Sequence, residues 1–480
     1  MAHRLSLLAA LTLSGSLVAQ TPAHESHGAS SVPSRVTVPA KDISNPPILV
    51  NISKLPKTVE VNITAAVTTL SLQPGVTSEV FAYNGTVPGP TLDLREGDHV
   101  IVHFRNSLPE PTTVHWHGIH LPFESDGSPF HPIKPGETHD YFFTVRPGTA
   151  GTYWYHPHPD QRTGFAIGKG LFGGIIVRAA DDPLPPMPEK VIILSDNRFL
   201  HDGAIDFPDP RSHHGGLDEE NGREGPVLFV NGHVMPTVTI RSGEVQRWRI
   251  VNGSAGRIYR IALSGHTFLH VGSDGGLFEK PVEVKEILLA TGERVELLVR
   301  GTDAPGTKTV LQNLPYDRYA PQTRPSDWET TRNLLTLQTT NEAPVTPVAI
   351  PATLRKIAAL DTAKVTAVRT VVFSQGLING KTMDMARVDV SSTVGATEIW
   401  QIENIVGMDH PFHLHGFQFQ VLDRNGVPES YRSWKDMLNI PKHTSARIIV
   451  RYDDYPGKWM FHCHILDHED HGMMGVLEVK

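Results

Sequence analysis

Cysteine is nearly absent: a single thiol, Cys463, stands in 480 residues. No internal disulfide can staple such a chain, and the lone thiol is left as a buried filler or a reactive or metal-bound thiolate. Beyond the first twenty residues no long apolar run occurs, which excludes a helical membrane span. There is no basic stretch, and the formal charge is −8; both exclude a phosphate-tracking surface and nucleic acid as the main partner. Methionine is sparse as well, 10 residues with no run among them. What is plentiful is histidine, with 26 residues, alongside 41 glycines and 38 prolines. Glycine and proline at that frequency suit many short strands joined by turns.

The opening MAHRLSLLAALTLSGSLVAQ predicts a secretory signal peptide over residues 1–20: Arg4, an apolar run over 5–13, and small residues before a cleavage point near Ala19. The mature chain is therefore expected to be secreted or periplasmic. Residues 21–50, which carry His24 and His27 in polar surroundings, read as a flexible linker.

The length suggests about three domains. Two proline-rich seams, Asp181-Asp182-Pro183-Leu184-Pro185-Pro186-Met187-Pro188 and Pro344 to Pro351, divide the rest, since proline removes a backbone donor and suits linkers. The domains expected are 51–182, 189–342 and 352–480. They share a weak repeat: Asn84-Gly85, Asn231-Gly232 and Asn379-Gly380 each precede a turn glycine (Gly97, Gly243, Gly395) and then HVIVHFRNSL, VQRWRIVNGS or TEIWQIENI. Within the copies the pattern has period two. Val100, Val102 and Phe104 alternate with Ile101, His103 and Arg105, and Trp248 and Ile250 with Arg247 and Arg249. The reading is all-β, three tandem β-sandwiches of antiparallel strands.

Four histidine clusters stand out. His115-Trp116-His117-Gly118 and His156-Pro157-His158 lie in the first segment. His410-Pro411-Phe412-His413-Leu414-His415-Gly416 and His462-Cys463-His464, continuing to His468 and Met473, lie in the third. The middle segment has none. Side chains two apart on a strand share a face, so each His-x-His aims two imidazoles one way, and four pairs supply eight ligands. Cys463 then points opposite to its flanking histidines, so one strand touches two metal sites. His410 has the parity of the Cys463 side. With His468 and Met473 this makes one Cys, two His and a Met, the set of an electron-transfer copper site. Zinc would need only about four ligands.

With all four motifs in place, nearly the whole mature chain resembles the multicopper oxidases, and within them the three-domain bacterial laccases. The resemblance implies cupredoxin-like Greek-key domains and four copper ions, with a trinuclear cluster between the first and last domains. It implies type 1 ligands His410, Cys463, His468 and axial Met473, and type 2 ligands His115 and His413. One type 3 copper would take His117, His156 and His464, the other His158, His415 and His462. A donor docked at the exposed edge of His468 would pass electrons through Cys463 into His462 and His464, and dioxygen would be reduced to water. Asp126 and Glu469 match proton-relay positions, with Asp470 as a substitute for Glu469.

Donors on this reading are phenols and aromatic amines. The alternatives are a cuprous-ion oxidase, which the lack of a methionine run disfavours, and a non-enzymatic scaffold, which the full ligand set disfavours. His213-His214 are read as part of a solvated loop between Pro208 and Pro226. His120, His131 and His139 are expected at the surface and Met474 in the core. Asp436 is assigned either to the substrate edge of the type 1 site or to a structural hydrogen bond.

Overall fold

The computed structural model describes residues 43–208 and 211–480. The expected signal peptide, its cleavage point near Ala19, His24 and His27 lie outside the described residues. Six sheets form three pairs along the chain. The first pair sets Val76–Tyr83, Thr58–Gln73, His99–Ser107 and Thr138–Thr144 against Gly89–Arg95, Gly173–Arg178, Gly151–His156 and His115–His117. The second and third pairs each join a six-stranded to a five-stranded sheet. The fold is all-β, three tandem cupredoxin-like Greek-key sandwiches.

The repeat has a structural cause. Asn84, Asn231 and Asn379 all take left-handed φ (50°, 51° and 52°) and are followed by left-handed glycines, the backbone that an Asn-Gly hairpin turn requires. Each asparagine then pins the same neighbour: its Oδ1 accepts from the amide of Thr64, Ile193 or Val372, at 2.7 Å in every copy. Period two could not reveal that each sandwich also holds parallel pairs. Thr58–Gln73 runs parallel to His99–Ser107, Glu189–Asn197 to Val245–Asn252, and Ala367–Ser374 to Thr397–Asn404. The strands are thus mostly, not wholly, antiparallel, because the chain crosses between sheets before it returns.

Val100, Val102 and Phe104 are buried as their alternation implied, and each sandwich has its own apolar core. Val245–Asn252 behaves differently, since every residue in it is buried. Its arginine face abuts the first sandwich: Arg249 donates to Glu296 Oε1 and to Thr152 Oγ1, and Thr152 Oγ1 donates to Glu296 Oε1 at 2.7 Å.

One expectation about the connections is corrected. Residues 43–50 are not a free linker: Ile43 N donates to Thr237 O, Asn45 bonds at Glu189 and Val191, and Leu49 N donates to Thr91 O. The third sandwich's first strand begins at Ala367; the residues before it pass from the middle sandwich, where Leu354 N donates to Glu279 O, to the third, where Leu360 N donates to Gln420 Oε1. Among the described residues no helix is long and apolar enough to cross a membrane.

Candidate metal centre

Strand pairing builds the centre. His115–His117 runs antiparallel to Gly151–His156, with His115 opposite His156. In the third sandwich, His410–Leu414 lies beside Gly457–Cys463, with His413 opposite His462 and Phe412 opposite Cys463. Paired residues share a face, so His413 and His462 look one way while Cys463 and His410 look the other. The two histidine faces, one from each end of the chain, meet in one buried chamber.

Four sets of donor atoms lie together in the chamber, each set within 4.8 Å: His115, His117 and His413; His117, His156 and His464; His158, His415 and His462; and His115, Asp126 and His415; a fifth, His410, Cys463 and His468, lies on the other face of the strand. Contacts between ring nitrogens join the two ends: His413 Nε2 is 3.5 Å from His115 Nε2, and His158 Nε2 is 3.4 Å from His462 Nε2; within the first sandwich, His117 Nδ1 is 3.3 Å from His156 Nε2. On the other face of the strand, Cys463 Sγ lies 3.4 Å from His410 Nδ1 and 3.7 Å from His468 Nδ1. Met473 is buried beside them and its carbonyl accepts from the Cys463 amide.

Burial first, and then the charge of neighbouring imidazoles, holds His117, His156, His158, His413, His415 and His464 well below the usual histidine range. They are neutral, with a lone pair free on each ring. The other nitrogen of most rings is fixed: His115 Nδ1 on Asp126 O, His156 Nδ1 on Pro157 O, His413 Nδ1 on Asp436 O, His415 Nδ1 on Asp126 Oδ2, and His462 Nδ1 on Cys463 O. Such bonds set tautomer and orientation in metal-binding histidines. Neither ring nitrogen of His464 has a partner. Each orphaned buried polar atom costs about 1–3 kcal/mol, a cost that metal coordination removes. Burial pushes the Cys463 thiol up to about 12, so a thiolate there needs a bound cation. Imidazoles with one thiolate are the donors that suit copper, and the residues present fit it.

The two expected acids are both in the chamber. Asp126, just after the turn Phe123–Ser125, puts Oδ2 at 2.9 Å from His415 Nδ1. Glu469, on the short helix Leu466–Asp470, places its oxygens 3.4 Å from His158 Nε2 and 3.2 Å from His462 Nδ1. Burial raises its carboxyl well above the usual range. Asp470 faces away, accepting from the amides of Thr163 and Gly164.

Other expectations are revised. The stretch read as a loop forms the helix His213–Asn221, capped by Ser212. Its Glu220 carbonyl bonds His468 Nε2 at 3.0 Å, so His468 is only 5% exposed and its edge is covered rather than open. Beside it lies a cleft of about 580 Å³ that reaches His410 and His468 and is lined by Glu219, Glu220, Ile405, Val406 and Met408. His120 is not a surface residue: it is largely buried, bonding Asp454 at 2.7 Å and the Gly416 carbonyl. His131 is exposed, His139 half-buried and Met474 in the core. Asp436 sits away from the substrate edge, buried against His117. The middle sandwich, without a ligand motif, contributes Arg294 and the turn at Thr291-Gly292, where Thr291 Oγ1 donates to His464 O at 2.6 Å. No local spacing in the sequence marks these residues.

Sequence families described as multicopper oxidase match residues 64–182, 149–341 and 352–480. The multicopper oxidase Mco of Staphylococcus aureus is 33% identical over 420 residues, 84% of each chain. The cell division protein FtsP of Xenorhabdus nematophila is 30% identical over 417 residues, 84% of this chain and 85% of that one. Among solved structures, the multicopper oxidase of Campylobacter jejuni, a metallo-oxidase, matches with a TM-score of 0.83 at 31% identity, covering 92% of this chain and 95% of that one. The laccase of Pediococcus acidilactici matches with a TM-score of 0.82 at 31% identity, covering 92% and 94%.

Proposed function

This chain belongs to the multicopper oxidase family, and from that premise we propose that it is a laccase-type enzyme, oxidising phenols or aromatic amines one electron at a time and reducing dioxygen to water. One observation carries this: Cys463 lies between His462 and His464, so three consecutive residues join the Cys463 group to two of the histidine groups in the chamber. On this reading His410, Cys463, His468 and Met473 hold a type 1 copper, and His115 and His413 a type 2 copper. Two type 3 coppers take His117, His156 and His464, and His158, His415 and His462. When bound, copper supplies the one-electron redox chemistry.

The chain's own part is to orient, connect and supply protons. The covalent path from Cys463 to either neighbouring histidine is short, and the Cys463 carbonyl also accepts from His462 Nδ1 at 3.0 Å. Four protons are consumed per dioxygen reduced to water. Glu469 holds a proton on its buried carboxyl beside His158, and Asp126 takes and returns one at Oδ2 beside His415. The cleft at His468 admits small donors against Ile405, Val406 and Met408. The signal-peptide pattern over 1–20 supports export, which we include in the proposal.

A second reading has its own observation. Met408, Glu219, His443 and His471 line the same cleft and are all side chains that bind metal ions, which favours cuprous ion as donor. The test is oxygen consumption by copper-loaded protein with a phenol and with cuprous ion under the same conditions. Faster turnover of the phenol supports the first reading and faster turnover of cuprous ion the second. No uptake with either, like a copper-free scaffold, refutes both.

A further inference from the structure

Among the described residues the middle sandwich contributes to none of the metal-binding groups, yet its Arg294 is buried at the point where all three sandwiches meet. All of its N–H groups are used. Nε donates to Thr152 O of the first sandwich at 3.1 Å. Nη1 donates to Gly292 O at 3.0 Å and to Asp436 Oδ1 at 2.7 Å. Nη2 donates to Asp274 O at 3.1 Å and to Asp436 Oδ2 at 2.5 Å. The last pair is a two-point grip on a carboxylate of the third sandwich, a geometry the planar guanidinium fits and an ammonium does not.

Asp436 in turn holds two histidines of the chamber. Its Oδ1 accepts from His117 Nε2 at 3.0 Å, and its main-chain oxygen accepts from His413 Nδ1 at 3.0 Å. Both bonds fix the proton on the outer nitrogen and leave the inner one, His117 Nδ1 or His413 Nε2, bare toward the chamber. A second charge pair supports the grip: Lys435 Nζ lies 2.7 Å from Asp274 Oδ2, next to Asp436 in the chain.

We propose that Arg294 is a positioning residue for the metal centre: by gripping Asp436 it keeps His117 and His413 in the tautomer and orientation that present a lone pair to copper. The middle domain thereby acts on His117 and His413 through one guanidinium. The proposal rests on the copper-oxidase reading, from which its test is separable.

The test compares Arg294→Met, Arg294→Lys and Asp436→Asn with wild type after copper loading and dialysis against a graded chelator. Copper is counted per chain. The Cys463 site is read by its thiolate-to-copper absorption and the remaining copper by electron paramagnetic resonance. Melting temperatures of the metal-free proteins report folding. Arg294→Met and Asp436→Asn are expected to weaken copper retention at the histidine chamber about 10- to 100-fold, the usual effect of removing a residue that orients a ligand. The Cys463 absorption is expected to persist, and Arg294→Lys to fall between. Unchanged retention in the folded variants overturns the proposal, as does equal loss of both copper signals, which marks Arg294 as domain glue alone. Should Arg294→Met not fold, Asp436→Asn, which keeps the shape, decides with the same two outcomes. Wild-type protein that takes up no copper sinks the oxidase reading on which the proposal stands.

Discussion

His117 and His413 lie face to face, ring centroids 3.9 Å apart and planes within 10° of parallel, although one belongs to the first sandwich and the other to the third. Two protonated imidazoles would repel at that distance. Burial and the surrounding rings keep both neutral. The stack is therefore compatible with metal-binding rings and incompatible with a proton-storing pair. It also measures how closely the two ends of the chain have to meet for the chamber to exist.

Replacing the single thiol tests the link between the two sites. Cys463→Ser is expected to abolish donor-driven oxygen uptake while most of the fold persists. The hydroxyl enters a fully buried position, so the stability cost is expected to be about 1–3 kcal/mol. Oxygen consumption and thermal unfolding of the copper-loaded variant check both points. Retained turnover would contradict the route through Cys463.

Asp126→Asn keeps the shape of the side chain and removes its basic oxygen beside His415. A group that passes protons in oxygen reduction is expected to slow that half-reaction by about 10²-fold or more. Bleaching of the thiolate–copper absorption by an added donor, with oxygen excluded, is expected to change little. Stopped-flow measurement of each half-reaction separates them, and equal slowing of both counts against the relay.

What local spacing encodes was legible in the sequence. The His-x-His pairs announce a shared face because a strand has period two, and the Asn-Gly dipeptides at 84, 231 and 379 announce the repeat because few other residues accept left-handed backbone. What depends on contact between sandwiches was not. Arg294 stands in an ordinary strand, and its partner Asp436 is 142 residues away. Of the two places the sequence allows Asp436, the outer edge and a structural hydrogen bond, it occupies the second. The helix His213–Asn221 is not announced for another reason: its sequence HHGGLDEEN has two glycines and no apolar stripe, and it is held by tertiary contacts, among them Asp218 with Arg198, Asn221 with Thr323 O and the Glu220 carbonyl with His468.

The buried pairs on the arginine face are expected to show in acid unfolding. Burial alone would raise the Glu296 carboxyl, but the charges of Arg247 and Arg249 outweigh it and hold it at about 2, below its usual 4.5. A carboxylate lowered on folding stabilises the fold above its unfolded value. That contribution is lost as pH falls from about 4.5 through 2, and the shift corresponds to something on the order of 3 kcal/mol. Glu296→Gln is expected to cost about 3 kcal/mol at neutral pH, because two buried arginines each lose a charged partner, Arg247 keeping Asp182 and Arg249 keeping Glu189. The gap to wild type should close below pH 2. Urea unfolding of the metal-free proteins across this range checks it; a variant with the wild-type pH slope would show that Glu296 titrates as an ordinary acid.

The turn at Thr291-Gly292 is expected to be sensitive to a single methyl group. Gly292 has a φ of +79°, and a Cβ there would lie 3.0 Å from His464 Nε2 and 3.2 Å from His117 Cε1. Gly85 supplies the control: its φ is +78°, and a Cβ there would meet nothing within 4 Å. Alanine in left-handed backbone costs about 1–2 kcal/mol at either site. Gly85→Ala is expected to show that loss and to retain copper as wild type does. Gly292→Ala is expected to lose at least as much stability and, in addition, to bind copper more weakly at the histidine chamber, because the methyl displaces the two rings it touches. Chelator titration of both variants, with thermal unfolding alongside, separates backbone strain from ring displacement. Equal copper retention in the two would mean that the middle sandwich does not set the chamber's geometry from this side.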